Sequence, residues 1–278
     1  MKNNNKFRLD VWGAITLGTI ALYALFLLYP MAYLIRQSVL DPDTGGFTLA
    51  YFTKFFSKSY YFDTLINSFK VSITATVLSI AIGTPLAYLF TIFKIKGKSV
   101  LNILIVVASM SAPFIGAYSW ILLLGRSGII TTFFKNLGIA IPDIYGFGGI
   151  VLVMTLQLFP LVFLYAKGAL KNIDNSLIEA AENLGCSGIA CFFKVVVPLI
   201  MPTLLAAALL VFMRSFADFG TPMLIGEGYR TFPVVLYTEF INEVGGSDGF
   251  AAAIAVIAIV ITTLVKEGAP LIRYRTHD

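Results

Sequence analysis

Long apolar stretches separated by short polar segments dominate the sequence. A helix that crosses a membrane needs roughly 20 consecutive, mostly apolar residues, and several stretches approach that length. We therefore predict an all-α, polytopic membrane protein with about six transmembrane helices. The predicted helices cover residues 11–35, 65–93, 100–124, 149–166, 195–216 and 250–265.

The first apolar stretch follows a basic start formed by Lys2, Lys6 and Arg8, as in a signal peptide. Its apolar run is too long for the central region of a typical signal peptide, and no Ala-x-Ala cleavage site follows it. We therefore predict that this stretch is a retained first helix.

Lysine and arginine residues are distributed unevenly between the two sets of predicted loops. With a cytoplasmic N-terminus, twelve of them lie in cytoplasmic segments and six in outer segments. Basic residues concentrate on the cytoplasmic side of membrane proteins. The sequence therefore predicts a multi-pass protein of the inner or plasma membrane with both termini in the cytoplasm.

Composition supports the membrane prediction and excludes several kinds of site. Hydrophobic residues make up 58% and charged residues 13% of the 278 residues, whereas soluble domains carry about 25% charged residues. The two cysteines, Cys186 and Cys191, and the single His277 exclude a disulfide framework and a metal site built from His and Cys alone. We find no convincing nucleophile–base pair, and we predict neither an enzyme, nor a cofactor, nor a nucleic-acid partner.

Four predicted helices contain a proline, at Pro85, Pro113, Pro160 and Pro202. Proline removes a backbone donor, and a neighbouring helix or water must then satisfy the freed carbonyl. Each proline therefore predicts either a kink in a packing helix or a helix that lines a pathway.

The loop between the fourth and fifth apolar stretches has a pattern of its own. Ser176 and Glu179 have the Ser-x-x-Glu spacing of a capping box, which predicts a helix start. Gly185 follows at a position where a left-handed C-terminal cap costs little. Ser187 is then placed to cap a second short helix that leads towards Pro198. The loop is therefore predicted to form a helix–Gly–helix bracket.

This loop resembles the Glu-Ala-Ala ("EAA") loop of the permeases of binding-protein-dependent ABC importers. The matching residues are Glu179, Ala180 and Ala181, then Gly185, and then Val195, Val197 and Pro198 at the family's spacing. Valine replaces the isoleucine and leucine of the family pattern. The resemblance covers residues 11–262 and implies one permease domain over residues 1–262.

The resemblance implies a mechanism and a set of partners. The bracket would dock as a coupling helix on a separate ABC ATPase subunit, present in two copies. A second permease, identical or homologous, would complete the channel in the lipid bilayer, and an extracytoplasmic substrate-binding protein would deliver the cargo. The rival hypotheses are a secondary transporter or channel that works without an ATPase, and a membrane enzyme.

A second stretch, residues 215–237, resembles the permeases of the ferric iron, polyamine and phosphonate group. Members of the iron type are often two fused permease halves, of which this chain would match one. The predicted cargo is ferric iron or a similarly small, oxygen-rich solute, with a polyamine or a phosphonate as the alternative. Candidate residues for the substrate pathway or for docking of the binding protein are Gln157, Arg214 and Asp218.

Two further segments resemble parts of enzymes, and we predict no catalytic role for either. Gly97, Lys98 and Ser99 have the order of a P-loop ending, but Ile92 occupies the position where that motif needs glycine. Residues 263–278 are predicted to be an atypical cytoplasmic tail, and they resemble a segment of phenylacetate-CoA-ligase-like enzymes. A chimeric or frame-disrupted end and an ordinary basic tail are both compatible with this sequence.

Overall fold

The computed structural model describes residues 11–41, 44–93, 96–110, 112–241 and 248–268. Within these ranges the chain is helical and contains no strand longer than the isolated bridge between Leu40 and Phe47. The predicted all-α class is confirmed. The helices are α1 (Val11–Tyr23), α2 (Tyr29–Ser38), α3 (Ala50–Ser57), α4 (Ser59–Ile92), α5 (Lys98–Ser109), α6 (Pro113–Leu124), α7 (Ile129–Asn136), α8 (Phe147–Lys171), α9 (Asn175–Asn183), α10 (Gly188–Cys191), α11 (Val197–Ala217), α12 (Gly220–Ile225), α13 (Phe232–Ile241) and α14 (Asp248–Gly268).

Six segments of the described chain are long and apolar enough to cross a membrane, as predicted. A π-helical turn joins α1 to α2, and another joins α10 to α11, so each pair forms one long segment. The six segments are Val11–Ser38, Ser59–Ile92, Pro113–Asn136, Phe147–Lys171, Gly188–Ala217 and Asp248–Val265.

The predicted third helix, residues 100–124, is wrong as a single element. The structure has α5 ending at Ser109 and α6 beginning at Pro113. Proline disfavours helical geometry in the residue before it and cannot donate to the preceding turn. Ala112 accordingly has an extended backbone, and Pro113 occupies the first turn of a new helix.

The chain divides into two compact units, one of residues 1–58 and 236–263 and the other of residues 59–235 and 264–278. In the first unit, α3 packs against α14. The Lys54 ammonium lies 4.1 Å from the centroid of the Phe250 ring. The Tyr51 ring occupies the space where a Cβ on Gly249 would lie, with the nearest ring atom 2.5 Å away.

The core of the second unit is formed by α4, α8 and α11, which pack against one another. The close approach of α4 to α8 depends on Gly83, because a Cβ there would lie 2.9 Å from the Phe159 carbonyl oxygen. Beside this crossing, the rings of Phe90 and Phe163 meet edge to face at 5.2 Å. Pro85, Pro160 and Pro202 lie inside α4, α8 and α11, respectively.

The last helix is longer than predicted. The pattern predicted residues 250–265, whereas α14 runs for 21 residues from Asp248 to Gly268. The helix passes the predicted domain boundary at residue 262 without a break. Residues 269–278, which make up most of the predicted atypical tail, lie outside the described residues, so the boundary stays a prediction.

Candidate functional site

The N-terminus of α9, the first arm of the predicted bracket, is capped by Asp174. The Ser176 amide donates to Asp174 Oδ1 over 3.0 Å, and the Leu177 amide donates to the Asp174 carbonyl over 3.1 Å. Hydrogen bonds from Ser176, first from its backbone amide and then from its side chain, lower the pKa of the Asp174 carboxyl. The charged form of this carboxylate is therefore the form that caps the helix.

The predicted capping box of Ser176 and Glu179 is consequently wrong. Ser176 lies inside the first turn of α9 instead of before it, so Glu179 lies two residues further along the helix than a capping box requires. The physical reason is the order of the chain, in which Asp174 offers an equally good cap directly before Asn175. Glu179 is exposed on the surface of α9.

The C-terminus of α9 has the predicted left-handed cap at Gly185. The φ angle of Gly185 is +86°, and the Cys186 amide donates to the Ala181 carbonyl over 3.0 Å. This bond has the pattern of a Schellman motif, which ends a helix and reverses the chain. A Cβ on Gly185 would meet no atom within 4 Å, so the backbone angle alone favours glycine there.

The second arm of the bracket is continuous with the fifth membrane segment. Ser187 precedes α10 with an extended backbone, as predicted, but its side chain makes no capping bond. The chain then runs through α10 and a π-helical turn into α11, where Pro198 lies in the first turn. The predicted second short helix is present as α10, but it is part of the fifth membrane segment, because the helical chain continues from α10 into α11.

Two leucines near one face of α9 are exposed. Leu177 is 49% exposed and Leu184 is 90% exposed, and residues seven apart lie near the same side of a helix. Ala181 lies between them on this side and Ala180 is exposed beside them, while Ile178 packs against the buried core. We call Leu177, Ala180 and Leu184 the α9 patch. Sequence reasoning singled out Ala180 and missed both leucines, although they are large apolar residues in a polar loop.

The structure brings the three candidate pathway residues together. Gln157 on α8, Arg214 on α11 and Asp218 just beyond α11 line one cavity of about 430 Å³. A second cavity, of about 460 Å³, shares Gln157 and Arg214 with it. The remaining residues that line the first cavity are Ser109, Pro113, Phe114, Leu158, Ala217, Phe219 and Gly220.

The break between α5 and α6 lies at this cavity. Ser109, at the end of α5, and Pro113, at the start of α6, both line it. Non-helical backbone at membrane depth is tolerated where protein covers it or where it borders a water-filled space. The break and the cavity therefore belong to one feature, which we call the α5–α6 cavity. In the sequence, this break is indicated by Pro113, whose effect does not appear in the hydropathy pattern.

The carboxylate of Asp218 organises the chain beyond α11. Its Oδ2 accepts from the Thr221 hydroxyl over 2.7 Å, and its Oδ1 accepts from the Gly220 amide over 2.9 Å. Burial raises the pKa of the Asp218 carboxyl, while the bonds from Thr221 and Gly220 act in the opposite direction. Because both oxygens are engaged, Asp218 holds the cavity wall.

Arg214 presents a different environment from Asp218. Its side chain is exposed at the cavity, and the ion pairs found among the described residues do not include it. The Ser109 hydroxyl donates to the Val106 carbonyl over 2.6 Å, which leaves its oxygen as an acceptor. The cavity therefore has the cationic Arg214 on one wall, the hydrogen-bonded Asp218 carboxylate on another, and the neutral polar side chains of Ser109 and Gln157 beside them.

Within the residues that the structure describes, no three His, Cys, Asp or Glu side chains are close enough together to hold a metal ion. Cys191 is buried and Cys186 is half-buried, and neither forms a disulfide.

Comparison with known proteins identifies the family. The model of the inner membrane component of binding-protein-dependent transport systems matches residues 46–267. The match covers most of the chain, and the chain belongs to this family. With six apolar helices of membrane-spanning length among its described residues, it is a multi-pass inner membrane protein.

Two relatives illustrate the transport systems in which permeases similar to this chain are found. The chain is 28% identical to the ferric transport system permease protein FbpB of Actinobacillus pleuropneumoniae, over 85% of this chain and 34% of that protein. It is also 28% identical to the spermidine/putrescine transport system permease protein PotB of Haemophilus influenzae, over 92% of this chain and 91% of that protein. The chain thus spans about a third of the length of the ferric relative and nearly all of the polyamine relative.

The fold is that of a solved ABC transporter. A chain in the crystal structure of a bacterial alginate ABC transporter, in complex with an alginate-bound periplasmic protein, superposes with a TM-score of 0.77. The superposition covers 94% of this chain and 93% of that chain at 15% sequence identity. At this identity the likeness establishes the fold alone.

Proposed function

We propose that this chain is the permease subunit of an ATP-driven importer and forms one half of its translocation pathway. In this proposal the bracket faces the cytoplasm and transmits movement from an ATPase subunit that is a separate chain. The names of the relatives and the family description, an inner membrane component of binding-protein-dependent systems, support this class of function.

The observation that carries the proposal is the α9 patch. Leu184 is 90% exposed on the loop between the apolar segments Phe147–Lys171 and Gly188–Ala217, and the described part of the chain does not cover it. A large apolar side chain displayed in this way is typical of a contact with another protein. The caps at Asp174 and Gly185 fix both ends of α9, so a force applied to the patch would reach α11 without loss in a flexible loop.

The assignment of Glu179, Ala180, Ala181, Gly185 and Pro198 to ATPase coupling rests on this geometry. Ala180 and Ala181 keep the helix surface flat beside the two leucines, which allows a partner to approach closely. Gly185 provides the turn, and Pro198 stiffens the start of α11. The stoichiometry of two ATPase copies, the second permease and the binding protein are parts of the same proposal.

The α5–α6 cavity is the part of the chain best suited to the cargo. It lies at the break between α5 and α6, and polar side chains from α8 and α11 also line it. Discontinuous helices frame the substrate sites of many transporters. Gln157 and Arg214 are the groups that we assign to contact with the solute.

For the cargo we propose ferric iron in an oxygen-rich, anionic form, or a similarly small oxygen-rich solute. One of the two relatives described above is called a ferric permease and the other a spermidine/putrescine permease. Their names therefore do not decide between the two cargoes for this chain. Both oxygens of the Asp218 carboxylate accept hydrogen bonds from Thr221 and Gly220, so Arg214 is the charged group that we assign to the solute. Its guanidinium favours an anionic solute over a polycation, because like charges repel. A polyamine or a phosphonate is the alternative.

The decisive experiment measures binding of the ATPase subunit of the proposed importer. Replacing Leu177 and Leu184 with glutamine should abolish its co-purification and reduce ATP-driven uptake by tenfold or more. A matched control replaces Ile139, which is also exposed but lies near the opposite end of α8, with glutamine. Normal co-purification and uptake with both leucines replaced would refute coupling through this patch.

The same measurements separate an importer from a secondary transporter or channel. Uptake by the purified chain in vesicles without any ATPase would favour the second class. Uptake that requires ATPase, ATP and binding protein together would establish the first.

A further inference from the structure

The ends of α4, α5 and α8 enclose a cavity that has no part in the proposed transport pathway. Its volume is about 350 Å³, and it lies where the apolar segments Ser59–Ile92 and Phe147–Lys171 end. We call it the lysine cavity. It is lined by Phe90, Thr91, Lys98, Ser99, Asn102, Lys167 and Lys171.

Three ammonium groups converge on this cavity. Lys98 and Lys171 both act electrostatically on Lys167. The Lys167 ammonium donates to the neutral Asn102 Oδ1. The ion pairs in the described chain, between Arg126 and Asp143 and between Arg126 and Glu227, lie elsewhere. Among the residues that the structure describes, no carboxylate lines the cavity.

This arrangement costs free energy in the isolated chain. Lys167 and Lys171 are four residues apart on α8, a spacing at which like charges destabilise a helix. Lys98 adds a third positive charge from a different helix. An excess of basic residues is common at cytoplasmic helix ends, but that tendency does not require them to surround one cavity. A bound anion would remove the repulsion.

We propose that the lysine cavity binds the phosphate of an anionic phospholipid headgroup. The cavity lies at the ends of apolar helices, where lipid headgroups gather, and basic pockets between helix ends are suited to such headgroups. The Ser99 hydroxyl and the Asn102 amide add neutral donors beside the three ammonium groups. The side chain of Phe90, at the inner wall, offers an apolar surface next to the acyl region.

The proposal also explains the incomplete P-loop order at Gly97, Lys98 and Ser99. These residues begin α5, with Gly97 in a left-handed conformation at φ +80°, and both Lys98 and Ser99 line the cavity. They would contact a phosphate without forming a nucleotide site. The proposal is independent of the cargo, of the orientation in the membrane and of the ATPase.

The test uses the full chain in nanodiscs of equal parts phosphatidylglycerol and phosphatidylcholine. Native mass spectrometry after mild detergent release counts the phosphatidylglycerol that the protein retains. The variant Lys98→Gln/Lys171→Gln should retain at least about tenfold less than the wild type, because each lysine contributes to headgroup attraction. It leaves Lys167 and its bond to Asn102 in place.

Two further variants make the result specific. Lys58→Gln/Lys135→Gln removes the same charge from exposed positions elsewhere and should retain the lipid. Lys98→Arg/Lys171→Arg keeps the charge and should also retain it, which separates loss of charge from misfolding. Equal retention by the glutamine variant and the wild type would overturn the proposal, as would equal loss in the Lys58 and Lys135 variant.

A final arm distinguishes lipid from a soluble anion. Inorganic phosphate is added to the wild type in phosphatidylcholine nanodiscs, and binding is measured by calorimetry. Absence of phosphate binding together with retention of phosphatidylglycerol supports the proposal. Phosphate binding without retention of the lipid overturns it in favour of a soluble anion.

Discussion

At the residue scale, the start of α9 shows that a short sequence motif does not by itself identify the residue that caps a helix. The Ser-x-x-Glu spacing of Ser176 and Glu179 satisfies the capping-box rule, but Asp174, two residues earlier, is an equally favoured N-cap residue. The chain can use only one cap, and Asp174 accepts from the Ser176 amide. Sequence predicted the helix correctly and assigned its cap to the wrong residue.

We therefore expect Asp174→Ala, and not Ser176→Ala, to loosen α9. Amide hydrogen exchange over residues 175–183 should accelerate severalfold in the first variant and stay near wild type in the second. The pKa of Asp174 is lowered in the folded protein. The cap is thus fully formed above the ordinary carboxyl pKa of about 4, and it is lost as the pH falls through the lowered value. Faster exchange in Ser176→Ala alone would restore the capping-box prediction.

Gly185 gives the second prediction at this scale, and here sequence and structure agree. At φ +86° a β-branched side chain is strained, whereas asparagine tolerates this region. Gly185→Val should reduce ATP-driven uptake by tenfold or more at matched membrane levels, and Gly185→Asn should retain most of it. Insertion should survive in both, because residue 185 lies outside the apolar segments.

Glu179→Lys should reduce uptake less than the loss of a helix cap would, because Asp174 and not Glu179 caps α9. Glu179 is exposed in the second turn of α9, so a lysine there disturbs only the surface and, weakly, the helix dipole.

Normal uptake by Gly185→Val would show that the left-handed turn is not needed for coupling.

At the scale of elements, hydropathy predicted the membrane segments well and their interruptions poorly. The apolar run over residues 100–124 has no polar gap, so its hydropathy gave no sign of the break after Ser109. Proline breaks a helix through backbone geometry, which hydropathy does not measure. The break at Pro113 therefore leaves no trace in the hydropathy of this apolar run. The same pattern ended the last helix at residue 265, although a helix can continue past Val265 once it leaves the hydrocarbon.

The crossing of α4 and α8 depends on one missing side chain. A Cβ on Gly83 would lie 2.9 Å from both the Phe159 carbonyl oxygen and the Val162 Cβ. Gly83→Ala should therefore push the helices apart and destabilise the fold by about 1–3 kcal/mol, visible as a lower midpoint of thermal unfolding in detergent.

Gly168→Ala is the matched control for this crossing. Gly168 lies on α8, and a Cβ there would meet no atom within 4 Å. Its replacement should leave the midpoint unchanged or raise it slightly, because alanine favours helix. Equal midpoints for the Gly83 and Gly168 variants would show that the two helices adjust to the extra methyl group without cost.

At the scale of the whole molecule, the sequence predicted the family and three of the residues that line the α5–α6 cavity, but not the cavity itself. The spacing from Glu179 to Pro198 is local and can be read directly. Gln157, Arg214 and Asp218 were each singled out as polar residues in or near apolar helices. Their convergence depends on how α8 and α11 pack, which no single segment encodes.

Arg214 provides the test of cargo charge. In a reconstituted importer, Arg214→Gln should lower uptake of an anionic iron chelate by about tenfold, because loss of a desolvated charge partner is costly. Arg214→Lys should retain part of the activity. Transport of spermidine and not of the chelate by the wild type would reverse the proposed order of cargoes, while leaving the permease proposal intact.

The exposure of Leu184 also bears on how a cell keeps such subunits in proportion. A copy made without its ATPase would leave this leucine in water, and exposed apolar groups are what chaperones and proteases act upon. Surplus copies would then be short-lived, and the supply of the ATPase would set the number of permeases that persist. One apolar side chain on a surface loop would thus serve as the mark of an unfinished assembly.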